Sequence, residues 1–223
     1  MTERLSRKER QAHTRARLMR SAASIAAQRG LERASLDAVA EHAGFTKGAV
    51  YANFESKEDL FLSMLDARFA ERLAELDRIL SSEDDPDTQA RAAAAGFIAA
   101  IEADPEWERL FVEFAVYAAR NEDFRVELVA RYRTMRERIA ELLTARAARL
   151  GIEPVLPPGQ VATMTFAMAN GIALERLLEP DAVPDGLYPE MMAVFFTGLR
   201  ARAAARAGAP QPAAPQGRRA GPR

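Results

Sequence analysis

Apolar residues recur at spacings of three and four along almost the whole chain, which is the period of a helix with one buried face. We find no stretch that alternates apolar and polar residues in the manner of a half-buried strand. The pattern predicts an all-α fold of about nine helices. An acidic, proline-bearing break at residues 81–87 (SSEDDPD) separates the first four helices from the rest.

The first four predicted helices follow one another closely. The first runs from about Arg10 to Arg29. Ser35 caps the second, which ends at Gly44, Thr46 caps a third of about eight residues, and Ser56 caps a long fourth. Two short helices joined by a tight turn are the helix-turn-helix arrangement, whose second helix enters the major groove of DNA.

The third helix, written KGAVYANF at residues 47–54, contains a glycine in an unfavourable place. Glycine inside a helix costs about 1 kcal/mol relative to alanine. At 100° per residue, Val50 and Phe54 share one face, and Gly48 and Ala52 share the opposite face. A face so poor in side chains lets the backbone lie close to base edges. The alternative is a tight helical hairpin in which Gly48 allows close packing within the protein.

Charge is distributed unevenly along a chain whose net charge is −1. Residues 1–54 hold ten Lys/Arg and five Asp/Glu, so the remaining 169 residues hold 21 and 27. A basic front on an acidic body favours an anionic partner for the front, although unevenly spread solvated charge is the simpler alternative. With no cysteine, and with His13 and His42 as the only histidines, we expect no metal, no cofactor and no enzymatic activity. Without a secretory signal or a long apolar run, we expect a cytoplasmic protein.

The block from Arg15 to Leu65 resembles the DNA-binding domain of the TetR family of bacterial transcription regulators. The segment SLDAVAEHAGFTKGAVYANFESKEDLF (residues 35–61) carries the resemblance. Its hallmark residues are Ala40, Gly44, Thr46, Gly48, Tyr51, Phe54 and Ser56–Glu58. The resemblance implies a dimer with one helix-turn-helix per subunit, a palindromic or pseudo-palindromic operator, and a C-terminal domain that binds an inducer and releases DNA.

The resemblance also implies roles for individual residues. Those matching positions that approach bases are Thr46, Lys47, Gly48 and Ala52. Those matching phosphate contacts are Ser35, Tyr51, Asn53 and Lys57. Asn53 stands where the family often has histidine or tyrosine, so this contact departs from the family pattern.

The aromatic and apolar residues of the C-terminal helices predict a ligand cavity and a subunit interface. For both sets of residues the alternative is that they form the buried core of the subunit. An apolar cavity with a few polar groups suits a small apolar or amphipathic ligand. The candidate lining residues are Trp107, Phe111, Phe114, Tyr117, Tyr132, Met164, Met168 and Asn170. The candidate interface residues on the eighth and ninth helices are Met164, Met168, Met191, Met192, Phe195, Phe196 and Leu199.

We therefore expect four regions: a basic flexible arm (1–9), a helix-turn-helix domain (10–56, motif about 35–54), a ligand-binding and dimerisation domain (57–206) and a disordered tail (207–223). The expected function is that of a dimeric repressor released from its operator by a small molecule. A transcriptional activator, or a helical adaptor without ligand control, is the alternative.

Overall fold

The computed structural model describes residues 6–208, so most of the expected arm and tail lies outside the described residues. Within this range the chain forms nine α-helices and no strand, which confirms the all-α prediction. The helices are α1 (Arg7–Arg29), α2 (Leu36–Ala43), α3 (Lys47–Tyr51), α4 (Lys57–Leu80), α5 (Pro86–Ala103), α6 (Pro105–Ala118), α7 (Glu122–Arg149), α8 (Pro158–Leu178) and α9 (Leu187–Ala207). A short 3-10 helix (Pro180–Ala182) lies between α8 and α9.

Side-chain caps start α2, α3 and α4 where the sequence predicts them. The hydroxyls of Ser35, Thr46 and Ser56 accept hydrogen bonds from the backbone N–H groups three residues later, at 3.2, 3.2 and 3.0 Å. Gly44 ends α2 in the left-handed conformation at φ 70° and ψ 33°. This geometry suits glycine because it has no Cβ. Local sequence thus sets the turn that joins α2 to α3.

Two helix boundaries differ from expectation. Helix α1 begins at Arg7 instead of Arg10, because Ser6 and Glu9 form a reciprocal capping box with hydrogen bonds of 2.7 and 3.2 Å. Residues 7–9 of the expected flexible arm are therefore helical. Helix α3 ends at Tyr51, three residues before Phe54, and continues as a turn in which the Asn53 and Phe54 N–H groups donate to the Val50 carbonyl.

The largest hydrophobic core joins the helix-turn-helix to the C-terminal part. It contains Val50 and Phe54 from the motif, Phe61 from α4, Phe114 from α6 and Phe124 from α7, all nearly inaccessible to solvent. The ring centroid of Phe114 lies 6.3 Å from that of Phe61 and 6.0 Å from that of Phe124. A second core joins α5, α8 and α9. Helix α6 is thus built into the same core as the DNA-binding motif.

We expect Phe114→Ala to lower the free energy of unfolding by about 3–5 kcal/mol, because truncation of a buried phenylalanine removes apolar contacts and leaves a cavity. Urea unfolding followed by circular dichroism measures this loss. Phe114→Leu, which keeps most of the volume, should cost less than half as much. Equal stability of Phe114→Ala and the wild type would contradict the position of Phe114 at the centre of the shared core.

Candidate DNA-binding surface and ligand cavity

The outward face of α3 is bare in its middle. Val50 and Phe54 are buried, with exposures of 0% and 1%, while Gly48, Tyr51 and Ala52 are exposed on the other side. A Cβ added to Gly48 would meet a single neighbouring atom, the Thr46 hydroxyl oxygen at 4.0 Å. Packing within residues 6–208 therefore does not require a glycine at position 48. This surface can admit a partner to close contact with the backbone.

Ser35, Thr46 and Lys47 lie exposed around this face. The Lys47 ammonium lies 2.6 Å from an oxygen of Asp37 on α2, and this hydrogen bond raises the pKa of Lys47. Asp37 was not among the residues singled out from the sequence. By pairing with Lys47 it restrains the one ammonium group at the start of α3.

Asn53 and Lys57, matched by resemblance to phosphate contacts, are engaged inside the subunit. The Asn53 amide donates to the Ala49 carbonyl at 2.7 Å. The Lys57 ammonium donates to the Glu32 and Leu31 carbonyls at 3.0 and 3.3 Å. Both side chains are half-buried, so a phosphate contact by either would require these hydrogen bonds to be shared or broken.

Two arginines of α1 hold the motif in place, and neither was predicted to do so. Arg15 donates to the Asn53 carbonyl and to the Ser63 hydroxyl, both at 2.6 Å, and its guanidinium lies 4.2 Å from the centroid of the Phe54 ring. Arg17 donates to the Ala43 carbonyl at 3.0 Å and lies over Phe45. The excess of basic residues in the first 54 positions favoured an anionic partner, and only tertiary contacts show that these two arginines instead hold the domain together.

A cavity of about 160 Å³ lies between α4, α5, α6, α7, α8 and α9. We call it the proximal cavity. Aromatic rings on five helices line it, at positions Phe69, Phe97, Trp107, Phe111, Phe166 and Tyr188. Its polar groups include Arg68 and Arg72 on α4, Glu108 on α6 and Asn170 on α8. An apolar space with a few polar groups is typical of a small-molecule site.

Glu108 is a carboxylic acid in this apolar wall. It is 8% exposed and makes no hydrogen bond or ion pair with the other described residues. Burial raises its pKa, against the opposing effect of the Arg68 charge. Sequence reasoning missed Glu108 because an acidic residue in the first turn of a helix is ordinarily a surface residue.

Of the eight predicted ligand-binding residues, the structure places Trp107, Phe111 and Asn170 on the cavity wall. Tyr132 lies one layer behind, stacked on Phe111 with ring centroids 5.8 Å apart. The remaining four lie elsewhere. Phe114 and Tyr117 belong to the shared core, Met168 packs against the second core and Met164 is exposed. The spacing of aromatic residues correctly predicted that α6 lines a cavity, but it did not distinguish which α6 residues face that cavity.

Tyr117 instead links α6 to the start of α4. Its hydroxyl donates to the Glu58 carboxylate at 2.7 Å, and its ring lies under the Lys57 ammonium at 5.2 Å. Burial, and to a smaller extent this hydrogen bond, raises the pKa of Tyr117 to about 12. Nearby, the Glu113 carboxylate accepts a hydrogen bond from the Leu31 N–H at 3.2 Å. Helix α6 therefore contacts the cavity through its first half and the DNA-binding domain through its second half.

The predicted interface residues also divide between core and surface. Met192 is buried in the second core, and Met168, Met191 and Phe196 pack against that core. Phe195 contacts Phe196 edge to face, and Leu199 is half-buried. The most exposed large apolar side chains on α8 and α9 are Met164, Leu174, Leu178, Leu187 and Val194. Exposed apolar surface is therefore present on α8 and α9, mostly at positions that the sequence reading did not name.

The described helices include none with the length and apolar character needed to cross a membrane. Within residues 6–208 there is likewise no group of three His, Asp or Glu side chains arranged to hold a metal ion.

The fold and the exposed α3 define the class of helix-turn-helix proteins with a C-terminal helical domain. The family model for bacterial regulatory proteins of the TetR family matches residues 18–64, and the model for the C-terminal domain of BetI-type transcriptional repressors matches residues 86–201. The chain belongs to the TetR family of transcriptional regulators. It is a regulator that acts through DNA, and its family consists of regulators and not of enzymes.

Relatives match nearly the full length of the folded part. YfiR, an uncharacterized regulator of this type from Bacillus subtilis (strain 168), is 28% identical over 205 residues, which are 87% of this chain and 96% of YfiR. A transcriptional regulator from Rhodococcus sp. Rha1 is 26% identical, with a TM-score of 0.69 over 85% of this chain and 97% of that one. The SmeT–triclosan complex, 22% identical, has a TM-score of 0.66 over 83% and 90% of the two chains and so shares the fold.

We expect Gly48→Ala to stabilise the protein and to weaken its binding to DNA. Alanine has room here and is the better helix former by about 0.5–1 kcal/mol, whereas its methyl group would hold the backbone away from the bases. Urea unfolding measures the first effect and fluorescence anisotropy with an operator duplex the second, where we expect at least a tenfold loss (about 1.4 kcal/mol).

Gly159→Ala in the first turn of α8 is the matched control, since Gly159 also has open space around its Cβ position. It should leave operator affinity unchanged. If Gly48→Ala bound DNA as tightly as the wild type, the bare face of α3 would not be the base-reading surface.

We expect Tyr117→Phe to lower the free energy of unfolding by about 1 kcal/mol near neutral pH, because it removes a hydrogen bond to a carboxylate. Burial of Glu58 opposes ionisation, but hydrogen bonds from Tyr117 and its other neighbours outweigh it and hold its pKa below the ordinary 4.5. A group with a lowered pKa stabilises the fold above its ordinary pKa and loses this effect as the pH falls through the folded value. The difference from the wild type should therefore shrink below pH 4.5.

Tyr132→Phe is the control for this experiment, because the Tyr132 hydroxyl makes no hydrogen bond within residues 6–208 and should show no such pH dependence. Urea titrations at neutral pH and at about pH 3.5 make the comparison. A pH-independent difference for Tyr117→Phe would exclude the Glu58 hydrogen bond as its cause.

Proposed function

We propose that the protein is a homodimeric repressor that binds a palindromic or pseudo-palindromic operator and leaves it when a small apolar or amphipathic molecule enters the proximal cavity. The single observation that carries the proposal is the exposed, side-chain-poor face of α3 around Gly48. A glycine that costs helix stability and relieves no contact within the subunit needs a partner that comes close to it. The major groove of B-DNA, about 12 Å wide, is such a partner.

The surroundings of this face support contact with DNA. The hydroxyls of Ser35, Thr46 and Tyr51 are exposed around Gly48, and Lys47 adds a positive charge. The N-terminal 54 residues carry a net charge of +5. Hydroxyl and ammonium groups around an exposed backbone suit phosphates at the rim of the groove and bases at its centre.

Exposed apolar side chains on α8 and α9 support a homodimer. Leu178 is 72% exposed and Val194 is 63% exposed, and a Cβ at Gly171 or Gly198 would meet no atom within 4 Å. Glycines in the middle of α8 and of α9 let a second copy of these helices approach closely. Two-fold symmetry then pairs each surface with its own copy, which matches a palindromic operator.

The position of α6 supports control by a ligand. Trp107, Glu108 and Phe111 face the proximal cavity, while Glu113 and Tyr117 hold residues at the start of the helix-turn-helix and of α4. A molecule that displaced α6 on the cavity side would move these contacts. SmeT, which shares this fold, has a solved structure in complex with triclosan.

The test is a mobility-shift assay of the full chain on the DNA that flanks its own gene, followed by in vitro transcription from the same fragment. We expect specific binding at low micromolar protein or below, with affinity falling steeply with salt, by about 0.9 log units for each neutralised phosphate per tenfold change in salt. We expect transcription to fall when the protein is added.

A compound that raises the melting temperature in a thermal-shift screen should restore transcription. Increased transcription on addition of the protein would identify an activator. Binding with no preference for any fragment, even in dilute salt, would contradict a sequence-specific regulator.

A further inference from the structure

A second cavity of about 140 Å³ lies at the end of the C-terminal part that is far from the DNA-binding domain. We call it the distal cavity. Its walls come from the C-terminal end of α7, the loop before α8, and the facing parts of α5 and α9. Nothing in the proposed function uses this space.

The two cavities share a wall that consists of four apolar side chains. Leu80, Ala90, Leu143 and Phe196 line both spaces. They come from four different helices, α4, α5, α7 and α9, so the wall is formed by side chains that meet between helices. A wall made of side chains can open when leucine and phenylalanine side chains rotate. A wall made of helix backbone could open only if a whole helix moved. Ala90 has the smallest side chain of the four, so a ligand tail passing the wall at Ala90 would have the least to displace.

Two oppositely charged side chains lie at the other end of the proximal cavity. Arg68, on α4, and Glu108, on α6, line it near the DNA-binding domain. Arg68 donates to the Ala100 carbonyl at 3.0 Å, and Glu108 has no hydrogen-bond partner within residues 6–208. A carboxylate can accept from Arg68, and a hydroxyl or a protonated carboxyl can in addition donate to Glu108. A small polar head group therefore matches this end. Beyond it most of the accessible surface of both cavities is apolar, and the polar residues on the walls include Arg72 and Asn170 in the proximal cavity and Gln89, Thr144, Arg146, Glu153 and Arg200 in the distal one.

The length of the combined space defines the kind of hydrocarbon. From Arg68 to Leu80 along α4 is about 18 Å, and from Leu143 to Leu150 along α7 is roughly a further 10 Å, at 1.5 Å per residue. A straight carbon chain advances about 1.25 Å per bond, so it needs roughly 14 carbons to reach the shared wall. Chains longer than this can continue into the distal cavity.

We propose that the proximal and distal cavities form one elongated site for a straight-chain amphiphile, with its head group at Arg68 and Glu108 and its tail passing the wall at Ala90. This inference rests on the proposed function in one respect only, namely that the ligand of the joined site is the molecule that releases DNA. The existence of the joined site is a separate property of the C-terminal helices.

The experiment measures the binding of fatty acids with even chain lengths from 8 to 18 carbons, below their aggregation limits, to the full-length protein. Trp107, the only tryptophan, lines the proximal cavity and reports binding by its fluorescence. Each buried methylene contributes roughly fourfold in Kd, so wild-type affinity should rise by roughly fifteenfold per two-carbon step through 18 carbons.

Ala90→Phe fills the shared wall. We expect its affinity to follow the wild type up to about 14 carbons and then to stop rising, which leaves roughly a 200-fold deficit at 18 carbons. Ala147→Phe, which fills the distal cavity from the half-buried side of α7 and leaves the wall alone, should show the same break. This second variant serves if Ala90→Phe does not fold.

Equal chain-length profiles for the wild type and a folded variant, or no binding of any acid, would overturn the joined site. Operator release in an anisotropy assay is recorded separately for each acid. If long acids bind with the expected break but leave the operator complex intact, the elongated site stands and release by this ligand does not. If the protein ignores its operator in the absence of acid, the regulator proposal fails whatever the acids do.

Discussion

Helix α6 packs against the DNA-binding domain and lines the proximal cavity at the same time. Phe114 is buried between Phe61 and Phe124, so α6 belongs to the core that also contains Val50 and Phe54. Less than two turns earlier on the same helix, Trp107 and Phe111 face the cavity. Because a well-packed core transmits displacement instead of absorbing it, α6 is the element through which our proposal couples the cavity to the helix-turn-helix.

The glycines show how a single subunit can reveal its partners. Gly96 is explained inside the subunit, since a Cβ there would lie 2.0 Å from an oxygen of Glu75. Gly44 is explained by its left-handed backbone. Gly48, Gly171 and Gly198 have open space and lie within helices, where each lowers helix stability. Their positions on the two kinds of exposed surface, α3 and α8–α9, are the reason that we assign DNA to one surface and a second subunit to the other.

Polar residues near the motif divide into those with exposed side chains, which we propose contact DNA, and those that build the domain. Lys47 is exposed and held by a single carboxylate, and Tyr51 is exposed as well. Arg15 and Lys57 are satisfied by backbone carbonyls and aromatic rings of the same subunit. A basic residue close to a recognition helix therefore has two possible duties, which exposure and hydrogen-bond partners distinguish.

The sequence by itself determined the all-α class, the caps of α2, α3 and α4 and the two faces of α3, because helical period and capping depend on residues three or four positions apart. It did not determine where α1 begins or where α3 ends. Ser35, Gly44, Thr46, Ser56, Val50 and Phe54 all stand as their local pattern predicts. Only the tertiary structure decided which aromatic residues of α6 line a cavity, that Met192 is core, and that Glu108 is buried without a partner. Those properties depend on which helices meet across the domain, and residues tens of positions apart carry no periodic signal of that contact.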